Sequence, residues 1–524
     1  MTDGPRRPLG ATWYPLTAAA IAGAAALAAI TAAPAGVIWD DGVYLIGAKS
    51  LATGAGYRFL HLIGAPPAVH FPPAWPALLA AVWRLSPSFP DNVLVLTLVN
   101  PLLLAVGAAL ACRYGMRRLD LPPPIASLAA VVFAAALPLV VIAGRLLPEP
   151  LFLVAMFLAF AMADRAVDRG GLRHAVEAGV ATGAVALVMN AGLALLPALV
   201  IALLVARRRR EAAVAAAGAA ALLVPWQLWL ARHADALATP LRGNYGPYLD
   251  RALDLYRERG TAFVVIMART NLLAVMRSFG NSLFPFGPRE IRPLLVTLVL
   301  VVAVIAVIRA RRRATTALLF LSFQFALILA YPAAPDRLMW AIWPLLGMLL
   351  ASGAVECWRI GAHRDAAPGV RATSAFACAV GVFAIVGHAG WSIRGAARRS
   401  WDTASSGNAD ALLPVADWIN ANTSPDDVVA VDGEPFIYLR TGRTVVPVHV
   451  LSPDDYVAGT PLVRAAADLR ALIAVGRPRY AVFSGAAGER EAARLLDGRN
   501  RTPKLQWIAT LPAGGVAYRV VLQP

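Results

Sequence analysis

Lysine is nearly missing from this chain: it occurs only at Lys49 and Lys504, although Lys and Arg together number 48. Charge of either sign is scarce as well. Charged residues make up 15% of the 524 positions, against roughly a quarter in soluble domains. Cysteine occurs three times, at Cys112, Cys357 and Cys378, each in or beside an apolar block. That pattern excludes a disulfide framework and offers no zinc spacing. The Arg-for-Lys usage, with abundant alanine, points to a GC-rich bacterial genome.

What the chain has instead is apolar mass. Hydrophobic residues reach 59%, and the mean hydropathy is +0.62. The runs recur at 15–38, 92–112, 124–143, 148–163, 175–189, 191–206, 212–231, 294–308, 314–331, 338–355 and 372–390. Several match the roughly 20 residues needed to cross a bilayer, and the two runs after Arg173 are shorter. The first run is longer than the roughly 7–15 residues of a signal-peptide core, so it reads as an uncleaved span. The expected fold is a polytopic α-helical membrane bundle of about eleven spans.

The formal net charge of +17 would point to nucleic acid on a soluble protein. Here the arginines sit between apolar blocks, and no nucleic-acid partner is expected. One set of loops holds Arg6 and Arg7, Arg113 to Arg118, Arg165 to Arg173, Arg207 to Arg210, Arg309 to Arg313 and Arg359 to Arg371. The short loops between them are nearly free of cations. The arginine loops are therefore cytoplasmic, with the N-terminus among them. The alternation requires 261–286, interrupted by Arg269, Asn271 and Arg277, to lie on the surface without crossing. Two long external loops follow, at 39–91 and 232–293.

Past Trp391 the chain changes character. Strand patterns at 428–431, 444–448 and 480–483 alternate with helical patterns at 462–475 and 489–496. Segments 508–511 and 517–522 read as a hairpin around Gly514 and Gly515. The expected division is a membrane domain over 1–391 and a C-terminal extracytoplasmic α/β domain over 392–524.

Four features carry potential chemistry. Trp39-Asp40-Asp41-Gly42 places two carboxylates at the outer end of the first span. They serve either as a polar stop beside an interfacial Trp, or as a general base toward a hydroxyl. Apolar positions at 45, 48, 51 and 52 allow an amphipathic surface helix to follow. His70 heads a proline-rich turn and has the chemistry to meet a hydroxyl or a phosphate. Glu149 lies in a short loop beside Arg145, either as its ion partner or as a functional acid. Arg337 enters a span from the cation-poor side. It either snorkels or pairs with Asp336, or it clamps a phosphate through its guanidinium fork.

These motifs together resemble a known family. The acidic pair after the first span, a helix closing on a Gly-rich turn with Tyr57, and Phe71-Pro72-Pro73 resemble the type C glycosyltransferases of bacteria. Within that GT-C fold the chain is similar to relatives of the lipid A aminoarabinose transferases and protein O-mannosyltransferases. Pro148-Glu149-Pro150-Leu151-Phe152 and Arg337 ahead of Pro344 fit the same pattern, as do Ala416-Asp417-Trp418 and Tyr438 to Arg443. The resemblance implies inverting transfer of a sugar from a polyprenyl-phosphate donor to a lipid, glycan or protein acceptor hydroxyl, outside the inner membrane. It implies Asp41 or Asp40 as the base and Glu149 as a second acid. Arg337, His70, Tyr57 and Arg145 would bind substrate. No cofactor is indicated with certainty; a divalent metal is compatible with the pattern but not indicated. Two departures stand out. Met189-Asn190 occupies a turn where the family often has Thr-Arg, and His70-Phe71 replaces a lysine before the prolines. The competing readings are a transporter or lipid flippase, which would favour inverted repeats and mid-span charge, and a non-catalytic receptor.

Overall fold

The scattered arginine loops gather at one end of a helical bundle. The computed structural model describes residues 12–457, 462–486, 488, 490 and 504–521. Its first half comprises α1 (Trp13–Ala28), α2 (Asp40–Ala52), α3 (Ala74–Leu85), α4 (Val93–Arg118), α5 (Pro123–Ala134), α6 (Leu137–Ala143), α7 (Glu149–Arg169), α8 (Leu172–Val188), α9 (Leu195–Val205) and α10 (Arg209–His233). Then follow α11 (Arg242–Tyr245), α12 (Tyr248–Leu283), α13 (Arg292–Ala310), α14 (Thr315–Ala330), α15 (Asp336–Trp340), α16 (Trp343–Gly361) and α17 (Pro368–Ala397). The C-terminal part holds α18 (Ser400–Asn422), β1 (Val428–Val431), α19 (Glu434–Thr441), β2 (Thr444–Val446), α20 (Pro453–Val457), α21 (Leu462–Gly476), β3 (Tyr480–Phe483), β4 (Lys504–Thr510) and β5 (Val516–Val521).

At the arginine end, Arg118 of α4 binds Asp164 at 2.8 Å and Asp168 at 2.7 Å, both on α7. It also donates to the Arg313 carbonyl between α13 and α14. Arg309 pairs with Glu356 of α16 at 3.0 Å, and Arg359 donates to the Asp120 carbonyl. Loops distant in sequence thus share one surface. The opposite end is called the site end below.

Among the described residues, six helices are long and apolar enough to cross a bilayer, and the pair α5–α6, bent by 62°, makes a seventh. Several expected runs fold as shorter helices. The first ends at Ala28, ten residues before Ile38; beyond it Pro34 lacks a donor and Gly36 adopts φ +96°, and the next helix starts only at Asp40. The two short runs after Arg173 are α8 and α9, joined by a tight 3₁₀ turn at Asn190–Ala194.

Segment 261–286, expected not to cross, lies in a helix that passes the same test of length and composition. Two of its contacts lie at the site end. Asn271 donates to the carbonyls of Ile328, Leu329 and Tyr331 where α14 stops. Two turns later, Ser278 donates to Asp336 at 2.6 Å.

Small residues set the bundle spacing. An added Cβ at Gly179 of α8 would lie 2.1 Å from the Ala215 carbonyl oxygen of α10. Close backbone contact of this kind drives helix association where lipid offers no hydrophobic gain. Gly179→Leu is therefore expected to lower the thermal midpoint in detergent, with a cost of about 1–3 kcal/mol or more. Gly369→Ala, whose added Cβ meets nothing within 4 Å, is the matched control. Equal midpoints for the two variants would contradict the packing argument.

The helix after the acidic pair also departs from expectation. α2 is not a surface helix: Asp41, Val43, Tyr44, Leu45, Ile46 and Ala48 are all buried. It lies between α3 on one side and α19 on the other. Gly42 permits this, since its Cβ would sit 2.7 Å from Pro435 of α19.

The C-terminal sheet has the order β2-β1-β3-β5-β4. β1 pairs in parallel with β2 and β3; β5 runs antiparallel to β3 and β4. The expected strands at 428–431 and 480–483 coincide with β1 and β3. Of the expected helix at 489–496, only residue 490 is among the described residues. Val37, from the loop after α1, packs into the same apolar cluster as Val415, Val429 and Phe436. The sheet unit is thereby seated on the site end.

Candidate functional site

Three chain segments bring one charged cluster together. Asp40 is the first residue of α2, Glu149 the first of α7, and Arg337 the second of α15. Arg337 donates through Nε to Glu149 Oε1 at 2.8 Å, and its Nη2 lies 2.6 Å from the same oxygen. Its Nη1 donates to Asp40 Oδ2. Both carboxylates open helices, where the exposed N–H groups favour negative charge. Desolvation alone would lower the Arg337 pKa, but Glu149 and Asp40 outweigh it and raise it, so the guanidinium stays charged. Glu149 is fully buried, and its second oxygen makes no hydrogen bond among the described residues.

Asp41 faces a different environment. Its Oδ2 accepts from the Gly36 N–H at 3.0 Å, and its Oδ1 accepts from Ile38 at 3.1 Å and Gly42 at 3.0 Å. Burial raises its pKa, while these donors and Arg145 hold it back. The carboxylate ties the loop after α1 to the start of α2. The structure therefore brings Asp40, not Asp41, to Arg337 and Glu149.

The other expected residues occupy separate places. His70 Nδ1 donates to the Gly246 carbonyl at 2.8 Å, and its ring lies 4.3 Å from that of Tyr248. Tyr57 donates its hydroxyl to the Phe71 carbonyl at 3.0 Å, which fixes the proline turn. Arg145 is buried and donates to the Ala33 carbonyl. Asn100 and Trp75 hold the carbonyls of the 145–147 turn that aims Glu149. Among the described residues, no group of three or more His, Cys, Asp or Glu side chains is placed to hold a metal ion.

Some neighbours of the cluster were not legible beforehand. Tyr44 lies close enough for Asp40, Arg337 and Glu149 all to act on its hydroxyl, and Tyr248 close enough for Asp40 and Arg337. Tyr44 stacks on Phe71 at 4.3 Å. From the sheet unit comes Glu434, buried, accepting from Trp39 Nε1 at 3.1 Å and from the Tyr245 hydroxyl at 2.8 Å. Burial raises its pKa, partly offset by these bonds. Trp39 adopts φ +58°, a left-handed conformation that is a genuine outlier for a bulky residue. The strained residue directly precedes Asp40.

His61 reports on the same junction. Its ring is fully buried against Phe59 and Tyr245, and its carbonyl accepts from Val445 of β2. Neither ring nitrogen has a hydrogen-bond partner among the described residues. Burial lowers its pKa from 6.5 to about 3. An opened state takes up a proton below about pH 6.5, whereas the closed state does not. The closed junction thus loses stability as pH falls from 6.5 toward 3, by about 1.4 kcal/mol per unit. Thermal midpoints should fall between pH 6.5 and 5, and His61→Phe should flatten that slope. An unchanged slope would show that another group carries it.

The architecture defines the fold. The helical bundle with its short sheet unit has the GT-C fold of membrane glycosyltransferases. In particular, the chain is similar to the aminoarabinose transferase ArnT from Cupriavidus metallidurans, solved bound to undecaprenyl phosphate. The two share 15% identity and a TM-score of 0.54, over 96% of this chain and 97% of that one. It is also similar to the archaeal oligosaccharyltransferase AglB from Archaeoglobus fulgidus, solved with an inhibitory peptide and a dolichol-phosphate. That match has 13% identity and a TM-score of 0.51, over 98% of this chain and 75% of that one. No family model and no curated protein matches the sequence.

Proposed function

We propose that the chain is an inverting glycosyltransferase that moves a sugar from a polyprenyl-phosphate donor to an acceptor hydroxyl. The observation that carries this reading is the junction of Asp40, Glu149 and Arg337 from three distant segments. Likeness to a fold whose solved members bind undecaprenyl phosphate and dolichol-phosphate supports it.

In one displacement, the acceptor oxygen attacks the anomeric carbon. The bond from that carbon to the phosphate oxygen breaks, and the electron pair leaves with the phosphate. The acceptor proton passes to a carboxylate, which we assign to Asp40, because the Asp41 oxygens are occupied by backbone donors. Arg337 stabilises the charge that grows on the leaving phosphate, where a preorganised cation acts most strongly. When it turns to the phosphate, Asp40 is released to act as base. Glu149 holds the guanidinium in place, and Tyr44 and Tyr248 wall the space beside it.

The site end faces away from the cytoplasm in this reading, since the arginine end obeys the positive-inside rule. The N-terminus is cytoplasmic, the C-terminal domain of 392–524 is extracytoplasmic, and the bilayer is the inner membrane. The second half of α12 lies along the outer surface, and eleven crossings then keep the topology consistent. The test is a transfer assay with a panel of polyprenyl-phosphate sugars, with products weighed by mass spectrometry. Wild-type protein should transfer at least one sugar, and Arg337→Gln should not. Wild-type protein that transfers none while moving lipid across vesicles would replace this reading with a flippase.

A further inference from the structure

We propose that a cavity lined by Asp41, Arg145 and Arg440, whose lining does not include Asp40, Glu149 or Arg337, binds the phosphate head of an anionic amphiphile. Two short segments reach both places. Asp40 turns to Arg337 while Asp41 lines the cavity; Glu149 turns to Arg337 while Arg145 lines the cavity. The cavity has a volume of about 260 Å³, and Arg440 of α19 is among the residues that line it.

Its charge is suited to an anion. Arg145 is 5% exposed, gives Nη1 to the Ala33 carbonyl, and has no partner for Nη2 among the described residues. A buried donor left unpaired is costly, and native structures rarely keep one without a reason. Asp41 and Asp402 are the carboxylates whose charge acts on Arg145. Neither forms an ion pair with it within 4.0 Å among the described residues, and the Asp41 oxygens serve three backbone N–H groups. Arg440 rests over the Phe436 ring, 5.9 Å from its centroid, and is exposed. Two guanidinium groups thus line one small space, and that geometry favours a phosphate over a single carboxylate.

The apolar side favours an amphiphile. Leu94 lines the cavity. Leu94, Leu98 and Leu102 are 58%, 41% and 67% exposed on α4. Their spacing of four places them in one stripe, running from the cavity toward the arginine end. A head held at Arg145 and Arg440 would lay its chain along that stripe.

The proposal does not depend on sugar transfer, because binding alone reads it. Full-length protein in neutral detergent is titrated with dioleoyl phosphatidate, with dioleoylglycerol and with inorganic phosphate, and retention is followed by native mass spectrometry. One phosphatidate should be retained and no dioleoylglycerol. Arg440→Gln should weaken phosphatidate binding roughly tenfold, as expected for a lost charge-assisted hydrogen bond. Arg145→Gln should do the same, but it alters a buried residue, so the exposed Arg440 carries the test. Arg337→Gln should leave binding unchanged. Unchanged affinity in Arg440→Gln overturns the proposal, as does loss confined to Arg337→Gln, which would place the lipid at the other site. Inorganic phosphate binding as tightly as phosphatidate overturns the amphiphile and leaves a free-phosphate site.

Discussion

Asp40→Asn should abolish sugar transfer while leaving the protein folded. Loss of a positioned general base costs about 10²–10⁴-fold in rate. Asparagine keeps the size of Asp40 and a carbonyl oxygen for Arg337, so the thermal midpoint should move little. Glu149 still holds the guanidinium from the other side. Asp41→Asn should give the opposite outcome. Its amide nitrogen would face one of the backbone N–H groups of Gly36, Ile38 or Gly42. That replaces an acceptor with a donor in a buried site, a cost of about 1–3 kcal/mol. The thermal midpoint falls, and residual transfer tracks the folded fraction. The pair separates base from brace. Full activity in Asp40→Asn would remove Asp40 from the chemistry. A rate loss in Asp41→Asn larger than its folded fraction explains would return the role of base to Asp41.

Much of the architecture was readable because membranes constrain sequence strongly. Spanning runs must be apolar, and arginines mark one face, so both signals survive along the whole chain. The parallel strands at Val428–Val431 and Tyr480–Phe483 were equally plain, as short runs of β-branched and aromatic residues. Helix ends were less so. The first apolar run continues past Ala28, and composition does not record that Pro34 and Gly36 divert it. The site was half legible. Asp40, Glu149 and Arg337 stood out because charge is rare beside apolar blocks. Which of two adjacent aspartates faces Arg337 was not decidable, since the answer lies in the backbone donors that claim Asp41. The buried state of α2 was hidden for a related reason. Its apolar spacing fits a half-buried helix, and α19, nearly 400 residues later in the chain, packs against it as well.

Glu434 shows the same kind of long-range dependence, and it should be the strongest lever on the site from outside it. Glu434→Leu leaves the Trp39 indole N–H and the Tyr245 hydroxyl without their acceptor. Trp39 is held at φ +58°, a conformation that costs about 1–3 kcal/mol and persists only while its surroundings enforce it. Without Glu434 the residue is free to relax, and Asp40, the next residue, moves with it. A shift of roughly 1 Å at a reacting group can cost about 10²-fold in rate. The expected result is a fall in kcat of that order, with KM for the donor little changed because Arg337 and Glu149 stay paired. Glu434→Gln retains a carbonyl oxygen for both donors and should restore most of the activity. That rescue defines Glu434 as a positioning residue. If Glu434→Gln instead loses as much kcat as Glu434→Leu, the carboxylate itself takes part in the reaction. If both keep wild-type kcat and only the thermal midpoint falls, Glu434 serves docking of the sheet unit alone, and the strained Trp39 does not govern Asp40.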